Sequence, residues 1–158
     1  MHELWVAEDF EVPLGIETEH FRLEPLAPHH NSRDYAAWMS SIEHIHNTPG
    51  FPRGESRWPY SMPSEENLSD INRHADDFER RKGFTYSVLD GEDVIGCVYL
   101  YPPQNLHNTD LNSDDYDAEV MSWVSAARSE LDTLLWQAVV QWLADKWPFK
   151  NILYATRL

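Results

Sequence analysis

The chain has 158 residues, 42% of them hydrophobic and 25% charged, the proportions of a single globular domain with one core. Twelve Lys and Arg face 27 Asp and Glu, so the formal net charge is 12 − 27 = −15. That excess argues against nucleic acid and anionic lipid as partners and favours a cationic or amine-bearing ligand.

The first 19 residues carry no sustained periodicity, and Pro13 and Gly15 interrupt them. From His20 to Leu26 the alternation of Phe21 and Leu23 predicts a short strand. Between Asp34 and His46, Tyr35, Trp38, Met39, Ile42 and Ile45 recur at three- and four-residue steps, which predicts one amphipathic helix. Asn47 to Pro63 holds four prolines and two glycines and reads as an irregular loop. Ser64 then opens a second helix as a capping residue. Its stripe is Leu68, Ile71, Ala75 and Phe78, and Arg80 to Lys82 and Gly83 close it. Phe84, Tyr86 and Val88 alternate as a strand, Asp90-Gly91 turns it, and Val94 to Tyr101 is apolar on both faces, as in a central strand. Gln104 to Asp115 is polar and loop-like, and Tyr116 to Ala126 returns as a strand. Leu131 to Trp147 is predicted as one helix with Leu131, Leu134, Leu135, Ala138, Val139, Trp142 and Leu143 on its buried face, stopped by Pro148. Ile152 to Ala155 forms the last strand. The order β-α-α-β-β-β-α-β implies one mixed α/β (α+β) sheet with helices on both faces, the last two strands running parallel around the last helix. The whole of 1–158 reads as one domain.

No apolar stretch approaches the ~20 residues that a membrane span needs. The acidic start, with Glu3, Glu8 and Asp9, lacks the basic region of a signal peptide. The single Cys97 excludes an internal disulfide, and the expected location is cytoplasmic. His44 and His46 fall on different helix faces, and His29-His30 at a helix entrance suit capping, so no metal site is expected.

Several of these segments together resemble the GNAT superfamily of acetyl-CoA-dependent N-acetyltransferases. His20 to Leu26 is similar to its opening strand, Tyr86 to Val98 with the Val94-Ile95-Gly96 step to its central hairpin, and Ala118 to Val124 to its fourth strand. The resemblance implies a GNAT-like acyl-CoA N-acyltransferase fold, C-terminally shortened, because the chain stops at Leu158 after the fifth strand. It implies acetyl-CoA as co-substrate and a small or N-terminal amine as acceptor. Glu119 is then the candidate base. Trp123 and Val124 would position the thioester through backbone groups. Arg128 and Ser129 would lie at the pyrophosphate, and Arg53, Arg57 and Trp58 would border the acceptor pocket. The cofactor loop departs from the family pattern: Ser125 to Asp132 contains no glycine, and Glu130 and Asp132 fall near the two glycine positions. A carboxylate ~4 Å from a phosphate costs about 1–4 kcal/mol at effective dielectrics between water and protein surface. Ser129 and Asp132 are moreover spaced as a capping box that would occupy the N–H groups a phosphate needs. The alternative function is therefore a non-catalytic GNAT-like domain that acts through a protein partner or as a homodimer, with Trp136, Trp142 and Trp147 as its aromatic surface.

Overall fold

A computed structural model describes residues 4–103 and 113–157. In chain order it holds β1 (Arg22–Pro25), α1 (Asn31–Met39), α2 (Ile42–His46), α3 (Ser64–Glu79), β2 (Phe84–Asp90), β3 (Asp93–Tyr101), β4 (Ala118–Val124), α4 (Asp132–Lys146) and β5 (Ile152–Tyr154). The expected order of strands stands, with one more helix between β1 and β2 than expected. Most of the Gln104–Asp115 loop lies outside the described residues, and its last part, Ser113–Asp115, is a 3-10 turn.

The five strands form one sheet in sequential order, β1-β2-β3-β4-β5. Each of the first four is antiparallel to its neighbour, and β5 runs parallel to β4, as the crossover through α4 requires. Gly96 pairs with Val124, and a Cβ there would meet the Trp123 carbonyl oxygen at 2.3 Å. Close approach of β3 to β4 therefore demands glycine at this step. Alternation along the strands sorts the side chains into two faces. Val98, Leu100, Val120 and Val124 pack with Leu135, Val139 and Trp142 of α4. Cys97 and Trp123 turn the other way and pack with Trp38 of α1, Ile45 of α2 and Ile71 of α3. The N-terminal segment is irregular, as expected, but it is docked: Val6 is in the core, and Tyr86 donates its hydroxyl proton to the Pro13 carbonyl at 2.6 Å.

Four sequence expectations are corrected. The helix expected from Asp34 to His46 is two helices, broken at Ser40 and Ser41: Ser40 Oγ donates back to the Ala37 carbonyl at 2.9 Å, and Ser41 Oγ accepts the Ala126 N–H at 2.9 Å. Ser64 is not the cap of α3; Pro63 occupies that position, and Ser64 Oγ accepts from Asn31 Nδ2. On α4, Leu134 is 39% exposed while Leu135 is fully buried, so the apolar face is narrower than the sequence stripe. Trp142 and Trp147 are buried in the core and Trp136 packs edge-on against Tyr154, which removes the aromatic surface imagined for a homodimer.

Candidate active site

Thr85, Ser87, Cys97, Tyr99, Tyr101, Glu119, Met121 and Trp123 share one sheet face, as their cross-strand registers show. Between this face, α1, α3 and the Pro-rich loop lies a cleft of about 470 Å³. Its lining includes Asp34, Asn67, His74, Tyr99, Tyr101 and Met121, with Arg57 and Trp58 contributed by the loop. The loop thus borders a pocket, with Arg57 and Trp58 in its lining. Arg53 takes another course: its guanidinium bonds Glu43 Oε2 and Asn47 Oδ1, both at 2.6 Å, and clamps the loop to α2.

Asn67 organises one end of the cleft. Its Oδ1 accepts from Trp38 Nε1 at 3.0 Å, and its Nδ2 donates to Asn31 Oδ1 at 2.9 Å and Asp34 Oδ2 at 3.1 Å. Burial raises the Asp34 carboxyl to about 6, against the opposing pull of that Asn67 hydrogen bond. His74, seven positions along α3 and on the same helix face, lines the other end. Its Nδ1 lies 2.7 Å from the Tyr101 hydroxyl and 3.2 Å from Thr85 Oγ1. Burial lowers His74 to about 4, with the Arg73 charge adding to the effect. Tyr101 lies where a Cβ at residue 83 would reach, within 2.0 Å of its ring, so Gly83 makes its room. None of Asp34, Asn67 or His74 was singled out from sequence. The available signal was a polar residue in line with the apolar ones: Asn67 and His74 stand four before and three after Ile71.

Glu119 is 1% exposed, in register between Tyr101 and Leu153, so it is a buried strand residue on the cleft's face. Trp123 fills the wall with its side chain, and its Nε1 donates to the Tyr99 hydroxyl at 3.0 Å. Its carbonyl is turned to β3, against Gly96. The Ser122 carbonyl points to the β5 side, and by strand alternation the backbone of Val124 does too.

Strands β4 and β5 pair only from Ala118–Ile152 to Val120–Tyr154 and then part. Arg157 fills the opening. Its side chain is 3% exposed and donates to Asp132 Oδ2 at 2.9 Å, the Ser122 carbonyl at 2.7 Å and the Ala155 carbonyl at 2.8 Å. A buried guanidinium is tolerable because these acceptors replace its water. The Tyr154 hydroxyl shares a 2.6 Å hydrogen bond with Ser122 Oγ, and burial pushes it up to about 12.

After β4, Ala126–Leu131 is a 3-10 turn with Arg128 off helical geometry. The capping box expected from Ser129 and Asp132 is not formed: neither this turn nor α4 has a side-chain cap, and Asp132 is drawn to Arg157 instead. Ser129 is exposed on the turn. Arg128 donates to Asp90 Oδ2 at 2.9 Å and to Glu130 Oε1 at 3.4 Å, so Glu130 faces a cation here.

Glu24, His29 and His30 form a triad with ligand atoms within 4.8 Å of one another. His30 Nδ1 accepts the Ala27 N–H at 3.0 Å, so a neutral His30 carries its proton on Nε2 and directs it to Glu24 Oε2 at 3.1 Å. That arrangement serves capping rather than metal ligation.

No family model matches the sequence, and no curated protein matches it. Solved structures do. The microcin C7 self-immunity acetyltransferase MccE, in complex with acetyl-CoA and AMP, superposes with a TM-score of 0.66 at 15% identity, covering 90% of this chain and 73% of that one. The apo ribosomal L7/L12 alpha-N-protein acetyltransferase RimL gives 0.57 at 10% identity, covering 84% and 63%. A ribosomal-protein-serine acetyltransferase structure from Vibrio cholerae gives 0.57 at 13%, covering 87% and 68%. The chain therefore has the GNAT acyl-CoA N-acyltransferase fold, and it spans somewhat under two thirds of the RimL chain.

Proposed function

We propose that the protein is a GNAT-type N-acetyltransferase that uses acetyl-CoA and acetylates a small or N-terminal amine. The observation that carries this reading is the parting of β4 and β5 after Val120–Tyr154, beside a cleft on the Glu119 face. MccE, with the same fold, is seen with acetyl-CoA bound, and RimL and the Vibrio cholerae structure bear the names of acetyltransferases for ribosomal proteins. Acetyl-CoA supplies an activated acetyl thioester. Glu119 takes the proton of the acceptor ammonium, directly or through water, so that the neutral nitrogen can attack. Val124, whose backbone groups face the parted strands, holds the donor chain, and Trp123 shapes the wall against the acceptor. Arg128 and Ser129 lie on the turn nearest the expected pyrophosphate, and Arg57 and Trp58 border the acceptor.

A second reading, a non-catalytic GNAT-like domain working through a partner, draws on Arg157. Its guanidinium sits in the space a donor chain would enter, and Arg128 is already paired with two carboxylates.

Calorimetric titration with acetyl-CoA separates the two. The enzyme reading expects binding, with a dissociation constant near or above roughly 100 μM while Arg157 must be displaced. In Arg157→Ser it should tighten at least tenfold, provided thermal melting shows the variant folded. Folded Arg157→Ser that shows no heat with acetyl-CoA at millimolar concentration would leave the non-catalytic reading as the better one.

A further inference from the structure

The Tyr101 hydroxyl has one proton, and it donates that proton to Asp77 Oδ2 at 2.9 Å. Toward His74 Nδ1, 2.7 Å away, it can therefore only accept, and the proton between them belongs to Nδ1. Thr85 Oγ1, at 3.2 Å, lies on the same side of the ring. A neutral imidazole protonated on Nδ1 has a bare lone pair on Nε2. With Nδ1 turned to Tyr101 and Thr85, Nε2 is the nitrogen left for the cleft that His74 lines. Burial keeps this ring neutral, with its pKa down to about 4.

Of the other polar groups in the lining, Asn67 donates its amide protons to Asn31 and Asp34 and Tyr101 donates its proton to Asp77, whereas the Asp34 carboxylate, like His74 Nε2, is an acceptor. Phe51, Trp58 and Tyr99 supply an aromatic wall. The lining arginines stand at the rim: Arg57 is exposed, and Arg73 is largely exposed and faces Asp70 at 3.6 Å. An occupant of the interior must therefore bring hydrogen-bond donors and an apolar body.

We propose that this cleft binds a primary ammonium carried on an aromatic or apolar body, with His74 Nε2 receiving one of its N–H groups and Asp34 supplying the counter-charge. Tyr101 and Asp77 are positioning residues that set the His74 tautomer. The proposal rests on the acetyltransferase reading only for the fate of the amine, not for its binding.

The test is a calorimetric titration with 2-phenylethylammonium, without acetyl-CoA, with phenylacetate as the oppositely charged control. Wild type should bind the ammonium and bind phenylacetate at least tenfold more weakly. His74→Asn keeps an amide near the Nδ1 position and should melt close to wild type, yet bind the ammonium at least tenfold more weakly. His74→Gln, which places its amide nearer the Nε2 position, should recover part of the loss. Long-range proton–nitrogen NMR should show His74 protonated on Nδ1 in wild type and a changed tautomer balance in Tyr101→Phe. Equal binding by His74→Asn, a preference for phenylacetate, no binding of the ammonium, or a wild-type His74 protonated on Nε2 would each overturn the proposal. Binding as described, beside a folded Arg157→Ser that gives no heat with acetyl-CoA, would leave it standing and sink the acetyltransferase reading instead.

Discussion

The two faces of the sheet are built from the same five strands but differ in what they bury. Against α4 the strands present Val98, Leu100, Val120 and Val124, and the helix answers with Leu135, Val139 and Trp142. Against α1 and α3 they present Thr85, Ser87, Cys97, Tyr99 and Glu119, and the helices answer with Asp34, Asn67 and His74 among apolar residues. Apolar burial of the first kind is non-directional and proportional to area. Polar burial of the second kind holds only where each group finds a partner. The α4 face therefore anchors the fold, while the α1–α3 face is a network whose stability depends on hydrogen-bond geometry and on pH.

The comparison breaks most visibly at position 135. Leu135→Asp places an unpaired charge in the apolar face and should cost at least several kcal/mol or prevent folding. Leu134→Asp, one residue away and 39% exposed, should stay within about 1 kcal/mol of wild type. Chemical denaturation measures both, and similar losses would mean that α4 is rotated from the face described.

Asn67→Leu is nearly isosteric but strands Trp38 Nε1, the Asn31 amide and Asp34 together. A buried group left without its partner costs about 1–3 kcal/mol, so a loss of roughly 3 kcal/mol is expected in the same experiment. A loss under 1 kcal/mol would show that the network contributes little.

The pH dependence sharpens the contrast. Asp34 titrates at about 6 folded and at 3.8 in its ordinary state, so the native protein binds the extra proton between these values. Its contribution to stability is full below pH 3.8 and lost as pH rises to about 6. At one unit to about 1.4 kcal/mol, Asp34→Asn should be more stable than wild type by about 1–3 kcal/mol at pH 7, the difference vanishing toward pH 4. His74 has the opposite sign. Its folded value of about 4 lies below the ordinary 6.5, so its contribution is present above pH 6.5 and lost as pH falls to about 4. Relative to wild type, His74→Asn should gain stability as pH falls through that window. Denaturation series from pH 4 to 7 that run parallel for wild type and both variants would remove the two groups from the buried network.

The smallest effect belongs to the turn. Arg128 is 30% exposed in its side chain, and its pairs with Asp90 and Glu130 are surface ion pairs, each worth about 0–1 kcal/mol. Arg128→Ala should move the melting temperature by no more than a few degrees, less than any change on the two sheet faces.

Periodicity and chain order carried the sequence of strands, the single sheet, the parallel β4–β5 pair and the α4 helix. These follow from backbone geometry and apolar spacing, both local and written in the residue order. The irregular loop that carries Arg57 and Trp58 was legible too, because prolines and glycines break regular structure wherever they stand. The cleft floor was not. Asn67 and His74 read as the polar side of α3, and only the docking of α1 and β3 against that helix shows that they face inward. The turn after β4 was misread for the same reason: Ser129 and Asp132 have capping spacing, but Arg157, 25 residues beyond Asp132, takes the Asp132 carboxylate. Sequence determines the local preferences of this chain. Which polar groups lie buried together is decided by contacts between distant segments, where a hydrogen bond in a dry interior outweighs a local one in water.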